Sequence, residues 1–115
     1  MKLPNADNAI VSQTKVLEYL LAENHPQGRH KAAFFRRFGF TREAWQVLAA
    51  ALAQHSSEHA VRRIEDSPFG TRYVIDGTIE TPSGRRTAIR TIWFIDVDGD
   101  SPRLVTAYPL EEEHL

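Results

Sequence analysis

The second half of the sequence constrains the fold most. Residues 60–66, 71–81, 86–96 and 103–108 are rich in Val, Ile, Thr and aromatic residues and keep a period of two, the rhythm of half-buried strands. Between them stand Ser67-Pro68-Phe69-Gly70, Thr81-Pro82-Ser83-Gly84 and Asp98-Gly99-Asp100-Ser101. Connections this short join antiparallel neighbours, because a parallel crossover needs about a dozen residues or more. A four-stranded antiparallel β-meander is therefore expected.

The first half reads differently. Residues 1–11 suggest an extended arm, turn-like at Leu3-Pro4-Asn5. Ser12 is placed to cap a first helix, with Val16, Leu17, Leu20 and Leu21 at helical spacing and Tyr19 beside them. The stretch Asn24-His25-Pro26-Gln27-Gly28 ends it, since proline cannot continue the ladder. A second, short helix is predicted from about Arg29 to Phe38, with Lys31, Phe34, Phe35 and Phe38 in one stripe and Gly39 as its C-terminal cap. Thr41 can cap a third helix carrying Ala44, Trp45, Leu48, Ala51 and Leu52, which should fade in Gln54-His55-Ser56-Ser57. The expected class is α+β: three N-terminal helices packed on the meander, covering one face and leaving the other partly open. A chain of 115 residues suits one domain, here residues 1–115 with the arm at 1–11 and an acidic tail at 111–115.

Composition removes several function classes. There is no cysteine, so disulfides and thiolate metal sites are excluded. No run approaches the roughly 18 apolar residues of a membrane span, and the first twenty residues do not read as a signal peptide; a cytoplasmic protein without membrane partners is expected. The formal net charge is −1, so no global field favours nucleic acid. Locally the balance differs: no acid lies between Glu23 and Glu43, whereas Arg29, Lys31, Arg36, Arg37 and Arg42 are basic, and Glu111-Glu112-Glu113 is acidic.

The segment from His25 to Lys31 holds the most unusual chemistry. Arg29, His30 and Lys31 put three basic or titratable groups at a helix start, where the helix dipole disfavours cations and an anion such as phosphate is welcome. Lys31 also falls in the apolar stripe, where it needs a carboxylate, a route to water or a cleft. The plain alternative is a solvated loop. His30, with His25 as substitute, has the ionisation range of a general acid or base. Arg72 and Arg90 fall inside strands, and Thr106 and Tyr108 share a face of the last one. Mid-sheet arginines can hold phosphate in a bidentate fork or form cross-strand ion pairs with Asp76 or Glu80. His55 and His59 are spaced for a metal, yet no third ligand is evident, so neither a metal nor a cofactor is expected. The Asp96-Val97-Asp98-Gly99-Asp100 run departs from a calcium loop and reads as a hairpin turn.

Several segments resemble an uncharacterised bacterial family, domain of unknown function 6883. They are Lys2-Leu3-Pro4-Asn5-Ala6, Tyr19-Leu20-Leu21, His25-Pro26 through Lys31-Ala32, Phe38-Gly39-Phe40, Asp66 through Tyr73, Arg90-Thr91-Ile92-Trp93 and Pro102 through Leu110. That family carries no activity to transfer. The order of helices then a four-stranded sheet, ending in Thr106-Ala107-Tyr108-Pro109, more loosely resembles the barnase–EndoU–colicin–RelE class of toxin nucleases. This second resemblance implies metal-independent cutting of RNA by His, Lys, Arg and Thr or Tyr side chains.

Two functions follow as expectations. In the first, a ribonuclease-like toxin cleaves RNA, free or on a ribosome, by attack of a ribose 2′-OH on phosphate. His30 moves a proton, Lys31, Arg72 and Arg90 hold the phosphate, Thr106 and Tyr108 position it, and His25, Arg29 and Arg36 bind the substrate. In the second, a non-catalytic module (an immunity protein, antitoxin or accessory protein) binds a cognate or neighbouring-gene partner through a sheet edge. The discriminating feature is whether Lys31, Arg72, Arg90 and Thr106 open onto one cleft within reach of His25 or His30.

Overall fold

The meander forms as expected. The structure, a computed structural model, describes residues 1–22, 24 and 29–110, and of Arg29 the backbone alone. Strands β1 (Val61–Ser67), β2 (Gly70–Glu80), β3 (Arg86–Asp96) and β4 (Arg103–Pro109) make one antiparallel sheet in the order β1-β2-β3-β4. Helix α1 (Gln13–Lys15) passes directly into a π-helical turn, Val16–Leu20. Helices α2 (Arg29–Arg37) and α3 (Trp45–Glu58) complete the α+β architecture.

Side-chain alternation divides the sheet. Ile75, Ile79, Ile89, Trp93 and Ala107 join Val16, Leu20, Phe35, Leu48 and Leu52 in the core. The opposite face carries Arg72, Asp76, Arg90 and Tyr108, where Asp76 faces Arg90 across β2–β3 and Arg90 faces Tyr108 across β3–β4. A bulge leaves Val105 without a partner, since Ile92 pairs with Thr106 and Trp93 with Leu104. Such an extra residue re-aims neighbouring side chains.

A buried polar chain joins α3 to the sheet. Trp93 donates from Nε1 to Thr91 Oγ1 at 2.9 Å, Thr91 lies 3.3 Å from His55 Nδ1, and His55 Nε2 lies 3.2 Å from the Gly77 carbonyl. These partners fit one neutral tautomer: Nε2–H donates to Gly77 while Nδ1 accepts from Thr91. His59 extends the contact from Nε2 to the Thr78 carbonyl at 2.8 Å, with its ring 4.7 Å from that of His55. The two rings thus serve the sheet, and the described residues contain no cluster of three metal-ligating side chains.

Helix α3 outlasts its expected end at Gln54–Ser57 and reaches Glu58. The Ser56 and Ser57 hydroxyls fold back onto the Ala53 and Gln54 carbonyls, so they stop competing for the ladder. Ser12 caps α1 by accepting from the Lys15 amide, and Gly39 follows α2 at φ 99°. Thr41 Oγ1 accepts from the Ala44 amide just ahead of α3. The arm includes a 3-10 turn, Ala6–Asn8, and touches both ends of the sheet. Met1 accepts from the Val61 amide, Ile10 donates to Pro102 and accepts from Leu104, and Leu3 is buried between.

One turn position depends on glycine. Gly70 has φ +152°, and a Cβ there would stand 2.3 Å from the Ile95 carbonyl oxygen and 2.7 Å from the Phe94 ring. Gly70→Ala is expected to cost about 1–3 kcal/mol through this overlap, read as a lower urea midpoint; an unchanged midpoint would refute the tight packing of this hairpin.

Candidate functional site

The open face of β4 meets α2 and the π-helical turn at a single cationic cluster. Lys31 lies in the first turn of α2, which contains no acid. Its ammonium donates to the Tyr19 hydroxyl and, at 3.0 Å, to Thr106 Oγ1. It also stands 4.5 Å from the Tyr19 ring centroid and 5.7 Å from that of Tyr108. Lys15, four residues before Tyr19, places a second ammonium 5.1 Å from the same Tyr19 ring. Lys15, Tyr19, Lys31, Arg90, Thr106 and Tyr108 are all half-buried.

Local structure explains the convergence. The π-helical turn closes with the Leu21 amide donating to the Val16 carbonyl, widening the turn around Tyr19. Arg42 secures its end by donating to the Leu17 and Leu21 carbonyls. On β4 the bulge at Val105 precedes Thr106, and Tyr108 follows on the same face.

The electrostatics favour negative charge. Lys31 bonds to hydroxyls and lies against aromatic rings, and among the described residues no carboxylate pairs with it. The hydrogen bond from Lys31 holds the Tyr19 phenol below the ordinary tyrosine range; burial opposes this, while Thr106 and the charges of Lys31 and Lys15 add to it. Arg90 is different. It grips Asp76 in a bidentate fork at 2.7 and 2.9 Å and faces Tyr108 across β3–β4. The Arg90 bond in turn keeps the Asp76 carboxyl below its usual range, and Arg62 adds a second cation at 3.4 Å.

The expected residues therefore divide, so Lys31, Arg72, Arg90 and Thr106 do not open onto one cleft, as the ribonuclease expectation required. Lys31, Thr106, Tyr108 and Arg90 come together. Arg72 stands four residues along β2 from Asp76, or roughly 13 Å at strand rise, where it pairs loosely with Glu65 at 3.9 Å. There it lines a separate groove with Phe69 and Phe94. The cause is register: Arg72 faces Phe94, whereas Arg90 faces Asp76. His30 is exposed and forms no hydrogen bond or ion pair with the described residues. Arg36 is exposed in the last turn of α2. His25, the side chain of Arg29 and the acidic tail lie outside the described residues. Sequence reasoning passed over Tyr19 and Lys15, although their i, i+4 spacing beside an apolar stripe was a usable signal.

Comparisons with known proteins add a family and a fold. The family model described as "Domain of unknown function (DUF6883)" matches residues 2–111. No curated protein matches the sequence. A solved structure described as "Contact-dependent growth inhibition toxin - immunity protein complex from Klebsiella pneumoniae 342" contains a chain similar to this one, with a TM-score of 0.73 at 20% identity. The match covers 93% of this chain and 97% of that chain. At this identity the likeness is one of fold.

Proposed function

This chain belongs to the DUF6883 family, and from that premise we propose that it is the RNA-cleaving member of a toxin–immunity pair. The observation that carries this reading is Lys31, a half-buried cation held by hydroxyls and aromatic rings with no described acid to neutralise it. A cation so placed favours an incoming anion. Thr106 and Tyr19 meet it with hydroxyl groups and Tyr108 with its ring, the fittings of a phosphate subsite. Arg90 is committed to Asp76.

The resemblance to toxin nucleases supports RNA as the substrate, and the fold shared with a chain of a growth-inhibition toxin–immunity complex supports the setting. In the reaction, the ribose 2′-OH attacks the adjacent phosphorus and Lys31 stabilises the charge that develops on the phosphoryl oxygens. The protein is expected to cleave RNA in the presence of EDTA, leaving 2′,3′-cyclic phosphate ends detectable by end-labelling. Inertness toward both naked RNA and ribosomes, with and without EDTA, overturns the reading.

A second reading, a partner-binding module, is favoured by a different observation. Phe69 and Val97 are 77% and 67% exposed and lie side by side, the Val97 amide donating to the Phe69 carbonyl. Neighbouring exposed apolar residues mark interaction surfaces. A stable complex with a partner protein, lost in Phe69→Ser but kept in Lys31→Met, together with absence of RNA cleavage, would establish that reading.

A further inference from the structure

Within the RNA-cleaving reading, which this inference rests on, we propose that the proton acceptor of the site is Tyr19 rather than His30. A base must lie within hydrogen-bond reach of the proton it abstracts, here beside the phosphate that Lys31 would hold. His30 is exposed and makes no hydrogen bond to this cluster. Tyr19 belongs to it: its hydroxyl accepts directly from the Lys31 ammonium, which bonds at the same time to Thr106. Two ammonium groups, those of Lys31 and Lys15, lie 4.5 and 5.1 Å from the Tyr19 ring. Both stabilise a phenolate through charge, and the phenol is displaced in that direction. Tyr19 also sits in a π-helical turn, an irregularity that recurs at functional sites. Here Arg42 holds the carbonyls at its end.

The step balances within the pair. The Tyr19 phenolate takes the proton of the 2′-OH as the O2′–P bond forms. The P–O5′ bond breaks, and the leaving oxygen takes a proton from the Lys31 ammonium. The products are a 2′,3′-cyclic phosphate and a 5′-hydroxyl, leaving a phenol beside a neutral amine. Transfer of the phenol proton to that amine, along the Tyr19–Lys31 hydrogen bond, restores phenolate and ammonium without another group.

Tyr19→Phe is the test, because it keeps the ring and leaves Lys31 its bond to Thr106. The variant is expected to lose about 100-fold or more in kcat, the range of acid–base catalysis, with KM little changed. In parallel, ultraviolet titration of the wild type should show one of its three tyrosines ionising below the ordinary phenol range, and that wave should vanish in Tyr19→Phe. Active wild type with an equally active Tyr19→Phe and the same pH–rate profile overturns this assignment alone. So does a titration in which no early wave belongs to Tyr19. A wild type inert toward RNA overturns the RNA-cleaving reading, and this inference with it.

Discussion

Lys31→Met is expected to lower RNA cleavage by roughly 100- to 1,000-fold, the range for removing one preorganised stabiliser of developing charge, while the protein stays folded. Both halves follow from position. Lys31 bonds to the hydroxyls of the cluster and has no described acid partner, so its loss removes the charge at its centre that draws phosphate in. The fold tolerates the change because Lys31 stands in the first turn of α2, where a cation opposes the helix dipole, and methionine retains the length of the apolar stem. Circular dichroism and a melting temperature within a few degrees of wild type would establish the fold. Lys31→Arg makes the complementary measurement: it keeps a charge but brings a planar, permanently protonated fork, so substrate binding should survive better than turnover. Undiminished cleavage by Lys31→Met would make Lys31 a structural strut between α2 and β4.

The second large effect is on stability. Between pH 7 and pH 4 the protein is expected to lose about 3 kcal/mol through His55. Burial, reinforced by the neighbouring His59 charge, pushes this imidazole down to about 4 from an unfolded value of 6.5. In that window the unfolded chain binds a proton that the folded protein refuses. The stabilisation is therefore complete above pH 6.5, falls as pH drops through the window, and is gone below about 4. Protonating Nδ1 would also break the acceptance from Thr91, which holds the Trp93 indole. Asp76 continues the trend at still lower pH, because its depressed carboxyl stabilises the fold only while ionised. Urea unfolding across this range checks the slope. His55→Gln should be less stable at pH 7 and show a flatter profile from pH 6.5 to 4. A wild-type profile equally flat would contradict the burial of a neutral His55.

Much of the fold was legible because the strand signals were local. The third strand occupies 86–96 as read, and the second runs 70–80 against an expected 71–81. The short Thr81–Gly84 connection also carried the register. Counting back from it sets Arg90 against Asp76 and Arg72 against Phe94, which separates two arginines that residue type alone had grouped. Lys31 announced itself by standing in an apolar stripe. Tyr19 was signalled only by its i, i+4 spacing with Lys15; the π-helical turn at Val16–Leu20 breaks the 3.6-residue period and so hid which way its side chain would face. The bulge at Val105 is similarly silent in sequence, since its cause is strand pairing between residues far apart.

The arm sets a kinetic rule for the whole molecule. Its residues are made before the strands, yet its backbone partners are Val61, half the chain away, and Pro102 and Leu104, more than three quarters of the chain away. Contacts of such separation form late, after loop closure has been achieved elsewhere. The cationic cluster obeys the same timetable, because Tyr19 and Lys31 must wait for Thr106. A chain emerging from its N-terminal end folds by units as they are completed, and here the unit is complete only with the last strand. A growing chain therefore carries no working site until synthesis has passed β4, a delay that is built into the order of its segments.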